Sequence, residues 1–236
     1  MQELEFINEC KEKVFSGIGI TSEDAKKLFN ISDENLQNLA QSANEITRDF
    51  NGKKVDIEQL NNIKKNACSE DCTFCGQSAF FDTGIETYQL PPPEEVVVKA
   101  QQAKEQGAES YCLVAAWREP SPKDFEKVCT IIDQINKKVG ISVECSLGFL
   151  TQEQARKLKE LKVKRYNHNL ETAKSKFPEI CTTHTYEDLC SFFRRYNCSA
   201  IRKKYCSRSI NLKHKQLNKL SLYGLQGLRI IHRRRQ

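Results

Sequence analysis

The sequence predicts an α/β protein with parallel strands, preceded by a helical segment. Apolar positions recur at helical spacing over residues 1–60. From Pro91 onward, short apolar runs alternate with longer stretches of helical character. Gly107 and Gly140 close two of those stretches, as glycine does at helix C-termini. Strands alternating with helices pair in parallel through right-handed crossovers. Three such units in a row fit part of a (β/α) barrel or a doubly wound sheet.

Taken in order, Thr21 is expected to cap a helix whose first turn, Ser22-Glu23-Asp24, is acidic and so suits the helix dipole. Ser32 or Asp33 is expected to cap the next, through Leu36, Leu39 and Ala43. Pro91-Pro92-Pro93 opens a helix over Glu94–Gln106. Ser110–Ala116 reads as a buried strand, Pro122–Lys138 as a helix, and Ile141–Cys145 as the next strand. Thr151 starts a helix to Leu161, and Val163–His168 is strand-like. The expected organisation is a helical segment over 1–60, a barrel portion over 61–188 and a divergent tail over 189–236.

The chain has 236 residues, 39% of them hydrophobic, and a mean hydropathy of −0.61. No apolar run approaches the ~18 residues of a membrane span. Met1–Lys13 is of mixed charge without an apolar stretch, so no secretory signal is expected and a cytoplasmic location is. Net charge is +6, but it is unevenly spread. Residues 189–236 carry 13 Lys or Arg and no acid, whereas residues 1–188 carry 24 basic and 31 acidic side chains. Eleven cysteines are many for a reducing compartment, and an odd count argues against a disulfide framework. Metal or cluster ligation is the better reading for some of them.

The strongest motif is Cys68-Ser-Glu-Asp-Cys72-Thr-Phe-Cys75. Three thiolates at this spacing can wrap three corners of a four-iron, four-sulfur cubane and leave the fourth iron open. Zinc competes, but structural zinc takes four closed ligands, and no second cysteine pair or nearby histidine follows in the sequence. Cys-x3-Cys-x2-Cys with an aromatic before the last cysteine, here Phe74, resembles the radical S-adenosylmethionine family. Asn66-Ala-Cys-Ser-Glu-Asp-Cys-Thr-Phe-Cys-Gly-Gln-Ser-Ala and Thr83-Gly-Ile-Glu-Thr-Tyr88 are similar to the biotin synthases within it. So are Arg165-Tyr-Asn-His-Asn-Leu-Glu-Thr172 and Phe177-Pro-Glu-Ile-Cys-Thr-Thr-His-Thr-Tyr-Glu-Asp188. The resemblance covers about residues 14–188.

The resemblance implies a radical S-adenosylmethionine barrel of TIM type, left incomplete here. Cys68, Cys72 and Cys75 would hold a 4Fe–4S cluster whose open iron is chelated by S-adenosylmethionine. Cleavage of that cofactor would give a 5′-deoxyadenosyl radical for sulfur insertion into dethiobiotin. A 2Fe–2S cluster, the proposed sulfur source, is expected on Cys112 and Cys145, and the two-residue strand period puts Cys112 on one face with Ser110 and Val114. Asn167 and Asn169, two apart, would line the pocket for dethiobiotin and the cofactor. Glu171 would meet the cofactor's ribose, and Trp117 would border the cofactor. His168 should point away, and Cys10, Cys129 and Cys181 have no matched ligand role. A reductant protein such as flavodoxin or ferredoxin and a family-type homodimer are the implied partners. Related barrels, such as hydrogenase-maturation or methylornithine-forming enzymes, are the nearest alternative, and an iron–sulfur-binding chain without turnover is another.

The resemblance stops after Asp188. The family continues with a strand bearing Cys-Ser-Gly-Gly, which supplies a third ligand to the second cluster. Here Cys206-Ser207 is followed by Arg208-Ser209, so Cys206 is not expected to be a ligand and the 2Fe–2S ligand set is incomplete. Loss of acids and periodicity from Leu189 suggests an altered reading of the gene and a disordered tail. Cys190, Cys198 and Cys206 stand eight apart, without zinc-type pairing, and no RNA-binding motif accompanies the basic residues. Nucleic-acid and membrane binding are therefore not expected.

Overall fold

In the computed structural model, residues 2–53 and 55–195 are described, and they divide into two compact units between Asp56 and Ile57. The basic segment from residue 196, with Cys206, lies outside the described residues.

The first unit holds α1 (Gln2–Phe15), α2 (Ser22–Phe29) and α3 (Leu36–Asn51). Thr21 caps α2 as expected, through a reciprocal box: its hydroxyl accepts from the Asp24 amide at 3.1 Å, and the Asp24 carboxylate accepts from the Thr21 amide at 2.9 Å. Ser32 does not cap α3. Its hydroxyl donates to Glu3 at 2.6 Å, and a 3₁₀ turn over Asp33–Asn35 leads into the helix.

The second unit is built on a four-stranded parallel sheet in the order β1 (Glu58–Lys64), β2 (Ser110–Ala115), β3 (Ser142–Ser146) and β4 (Arg165–Tyr166). Helices α4 (Pro93–Glu105), α5 (Pro122–Lys138) and α6 (Gln152–Glu160) follow β1, β2 and β3 respectively. This is the expected partial (β/α) barrel. β1 is an addition to the expected elements, and it crosses the boundary expected at residue 60. The β4 ladder reaches beyond its two residues, since the Lys164 amide donates to the Val143 carbonyl at 2.9 Å and the Asn167 amide to the Cys145 carbonyl at 2.7 Å.

Strand alternation sorts the sheet into two faces. One face buries Tyr111, Leu113 and Ala115 of β2 with Val143 and Cys145 of β3 in the apolar core. That core takes Val96, Ala100 and Ala103 from α4 and Phe125, Val128, Ile131, Ile132 and Ile135 from α5, which recur at helical spacing. The other face carries the row Leu60, Cys112, Glu144 and Arg165, which the register aligns from β1 to β4. Arg165 of β4 reaches Glu58 of β1 at 3.8 Å, so this face is concave.

After β4 come a 3₁₀ turn (Lys174–Lys176), the short α7 (Phe177–Ile180) and α8 (Tyr186–Arg195). Helix α8 runs past residue 188, the last of the expected barrel portion. Leu189, Phe192 and Phe193 join the core, and Phe192 packs 5.6 Å from Phe149 and 5.0 Å from His168, ring centre to ring centre.

Candidate metal centre

The three-cysteine loop leaves the end of β1 through a sharp bend. Asn66 and Ala67 both take positive φ, 61° and 52°, a region disfavoured for residues with a Cβ. Side chains hold the bend in place. Lys64 Nζ donates to the carbonyls of Asn66 at 3.1 Å and Ala116 at 2.7 Å, and the Gln77 side chain accepts from the Asn66 amide at 2.6 Å. The loop then folds back on itself: the Cys68 amide donates to the Gln77 carbonyl at 2.9 Å and the Ala79 amide to the Cys68 carbonyl at 2.8 Å. Buried Ser78 donates to the Glu70 carbonyl at 2.6 Å. Cys68 is buried, while Cys72 and Cys75 are half-buried. Burial pushes the Cys68 and Cys72 thiols up, and each also feels the Cys75 thiol.

A distant segment straps this loop. The Asp71 carboxylate accepts from the backbone amides of Thr182 at 2.9 Å and Thr183 at 3.2 Å, and also from the Thr182 hydroxyl. The Thr73 amide donates to the Ile180 carbonyl at 2.9 Å. The strap brings two residues without an expected role to Cys72. Cys181 Sγ lies 3.8 Å from Cys72 Sγ and 3.2 Å from His184 Nδ1. His184 and Thr183 also hydrogen-bond to Glu70 Oε2. Glu70 Oε1 pairs with Arg118 at 3.2 Å. Burial raises the Glu70 carboxyl, but the hydrogen bonds from His184 and Thr183 and the Arg118 charge outweigh it and hold the group below its usual range.

The two thiols expected to share a second cluster do not face one another. Cys112 is registered opposite Glu144, and Cys145 opposite Leu113. Neighbours in register point to the same side, so Cys112 lies on the concave face and Cys145 on the helix-covered face. Cys145 packs in the apolar core, where burial pushes its thiol well up, with Cys112 across the sheet and then Cys129 of α5 adding to the effect. On the concave face, Asn167 Nδ2 lies 3.6 Å from Cys112 Sγ, and Arg165 pairs with the buried Glu144 at 3.1 Å. Burial pushes the Cys112 thiol up to about 12, against the Asn167 contact.

Phe74 is exposed on the cysteine loop. Asn169 and Glu171 are exposed beyond β4, and Glu171 has φ 60°. Partial desolvation raises the Glu171 carboxyl, against a hydrogen bond from Asn169. His168 turns away from Asn167, as expected, into the rings of Phe149, Phe192 and Phe193, with Nδ1 3.1 Å from the Gly148 carbonyl. Trp117 donates its indole N–H to the Leu147 carbonyl at 2.7 Å, which ties the end of β2 to the loop after β3.

A model of the radical SAM superfamily matches residues 62–214, well over half of the chain. The chain belongs to the radical SAM superfamily. It is 85% identical over 188 residues to the biotin synthase of Nitrosopumilus maritimus, covering 80% of this chain and 58% of that protein. The biotin synthase of Cenarchaeum symbiosum is 65% identical over 182 residues, 77% of this chain and 56% of that protein. The chain therefore spans a little over half the length of these curated relatives. Among solved structures, methylornithine synthase matches with a TM-score of 0.70 at 19% identity, over 78% of this chain and 54% of that one. The hydrogenase maturase HydG matches with 0.69 at 22% identity, over 84% of this chain and 45% of that one. Both likenesses concern the fold.

Radical SAM membership implies a 4Fe–4S cluster and S-adenosylmethionine. The donor chemistry suits the cluster: three thiols on one bend, beside the end of a barrel strand, with the loop backbone already tied. Sequence reasoning missed Glu70, Cys181 and His184. The histidine sought near the cysteine motif is supplied from more than 100 residues away.

Proposed function

We propose that the chain works as a biotin synthase-type radical SAM enzyme, with Cys68, Cys72 and Cys75 as the ligands of its 4Fe–4S cluster. The observation that carries the reading is the 85% identity over 188 residues to a biotin synthase, a span that includes the whole cysteine loop and its strap. When bound, the cluster supplies the electron that cleaves S-adenosylmethionine. The chain's own residues hold and orient. Lys64, Gln77 and Ser78 fix the bend that presents the three thiols, and the Asp71 contacts tie the strap to that loop. Phe74 offers an apolar edge to the cofactor's adenine, and Glu171 accepts from its ribose hydroxyls. Asn167 and Asn169 bind dethiobiotin and the cofactor along the concave face. A reductant protein, flavodoxin or ferredoxin, delivers the electron, and a homodimer of the family type is the working assembly.

The expected 2Fe–2S pair does not fit. Cys112 and Cys145 lie on opposite faces of the sheet, so no step is drawn through a cluster held by both. This geometry favours a second reading, in which the chain cleaves S-adenosylmethionine without inserting sulfur. One assay separates the two. Anaerobically reconstituted protein is incubated with S-adenosylmethionine, dethiobiotin and dithionite, and products are measured by mass spectrometry. Biotin together with 5′-deoxyadenosine supports the first reading. 5′-Deoxyadenosine alone overturns it in favour of the second.

A further inference from the structure

The cysteine loop and its strap contain a second donor set. Glu70, Cys72, Cys181 and His184 each offer one ligand atom, and the four atoms lie within 4.8 Å of one another. Glu70, Cys181 and the His184 side chain are 9% exposed or less. Neighbours fix each of them. Ser78 holds the Glu70 carbonyl, and Arg118 occupies Glu70 Oε1, which leaves Oε2 turned to the set. Asp71 binds the backbone between Cys181 and His184 from outside.

Two sulfurs, one imidazole nitrogen and one carboxylate oxygen make a complete four-coordinate set for a divalent ion of the zinc class. Charge balances as well. Two thiolates and Glu70 bring three negative charges, which a divalent ion and the Arg118 guanidinium offset. Binding releases the two thiol protons to solvent. Cys68 and Cys75 are not members of this set.

We propose that, before its iron–sulfur cluster is built, the chain holds one zinc-class ion on Glu70, Cys72, Cys181 and His184. Cys72 then belongs to two sites, and the ion competes with cluster assembly for that thiolate. The ion site rests on the geometry alone, and the competition rests on the ligand assignment proposed above.

Cobalt(II) titrated into the full-length, metal-free, reduced chain tests the site. One equivalent should bind, with a thiolate-to-cobalt charge-transfer band and the visible bands of a tetrahedral ion, and zinc should displace it. Cys181→Ala should weaken binding by at least about tenfold and roughly halve the charge-transfer intensity per bound ion, through loss of one of two thiolates. Cys68→Ala and Cys75→Ala should leave both unchanged. His184→Cys should keep the ion and strengthen the charge-transfer band, which separates loss of a ligand from loss of fold. No tetrahedral spectrum in the wild-type chain, or equal losses in Cys68→Ala and Cys75→Ala, would overturn the proposal. Zinc added before iron and sulfide should lower iron uptake in the wild type and not in Cys181→Ala. Iron uptake indifferent to zinc in the wild type would overturn the competition. If the wild type takes up no iron but gives the cobalt spectrum, the cluster assignment fails and the ion site stands.

Discussion

Cys75 and Cys112 differ in what water can reach. Cys75 is half-buried on a loop, whereas Cys112 is 1% exposed in mid-strand and its thiol is pushed up to about 12. Thiolate is the reactive form, so iodoacetamide at about pH 8 should label Cys75 of the cluster-free native chain well before Cys112 or Cys145. Peptide mapping by mass spectrometry reads the order, and equal labelling of Cys112 would contradict the burial described. The cysteine loop was readable as one unit from spacing alone, because it is local to eight residues. The pairing of Cys112 with Cys145 was not legible. Alternation gives the face of each residue within one strand, but the relation between strands depends on register. Here register puts Leu113, not Cys112, opposite Cys145. Glu70, Cys181 and His184 were hidden for another reason: the contacts joining them bridge 111 and 114 positions of sequence.

At the scale of elements, two small features hold the loops around the site. A Cβ on Gly148, at φ 72°, would stand 2.1 Å from the Arg118 carbonyl oxygen. Gly148→Ala should therefore cost about 2–3 kcal/mol, from backbone strain and a displaced Arg118 loop. Thermal unfolding measures it, and an unchanged midpoint would show that the close approach is not needed. Helix α8 begins with a reciprocal cap, in which Asp188 accepts from the Thr185 amide and hydroxyl, both at 2.8 Å, and Thr185 accepts from the Asp188 amide at 3.1 Å. Thr185→Ala should cost about 1 kcal/mol. The backbone and hydroxyl of Thr185 hold the Asp188 carboxyl below its ordinary 3.8. The unfolded chain then takes up a proton at a pH where the folded one does not, so this contribution is present above about pH 4 and is lost as pH falls further. The stability difference between wild type and Asp188→Asn should shrink on acidification, and a difference constant with pH would contradict the cap. Helix α3 was expected under a cap it does not use, and α8 runs into a stretch without legible periodicity, but α2, α4, α5 and α6 were readable from their start and stop signals. Strand β1 was not, because Glu58-Gln-Leu-Asn-Asn-Ile-Lys64 neither alternates nor carries more than one buried residue, Ile63. Its neighbour β2 makes it a strand, by parallel pairing along its length.

At the scale of the molecule, four parallel strands curve so that Arg165 of the last reaches Glu58 of the first. Apolar side chains fill the convex side under α4 and α5, and the concave side mixes charged and polar residues such as Glu144 and Arg165 with Leu60 and Cys112. The strand–helix rhythm announced this architecture, because strands buried under helices need continuous apolar runs. The concave lining carries no such rhythm and depended on register. The cysteine loop rises from the end of β1 and is strapped by residues 180–184, so the fold supplies a fixed platform for the central claim that Cys68, Cys72 and Cys75 hold one reactive cluster. The most direct measurement is the iron and sulfide content of the anaerobically reconstituted chain, with its electron paramagnetic resonance spectrum after reduction. The wild type should take up about four iron atoms per chain and give a reduced four-iron signal, Cys68→Ala and Cys75→Ala should each lose most of both, and Cys181→Ala should retain them. Cluster content unchanged by Cys68→Ala and Cys75→Ala would contradict the account.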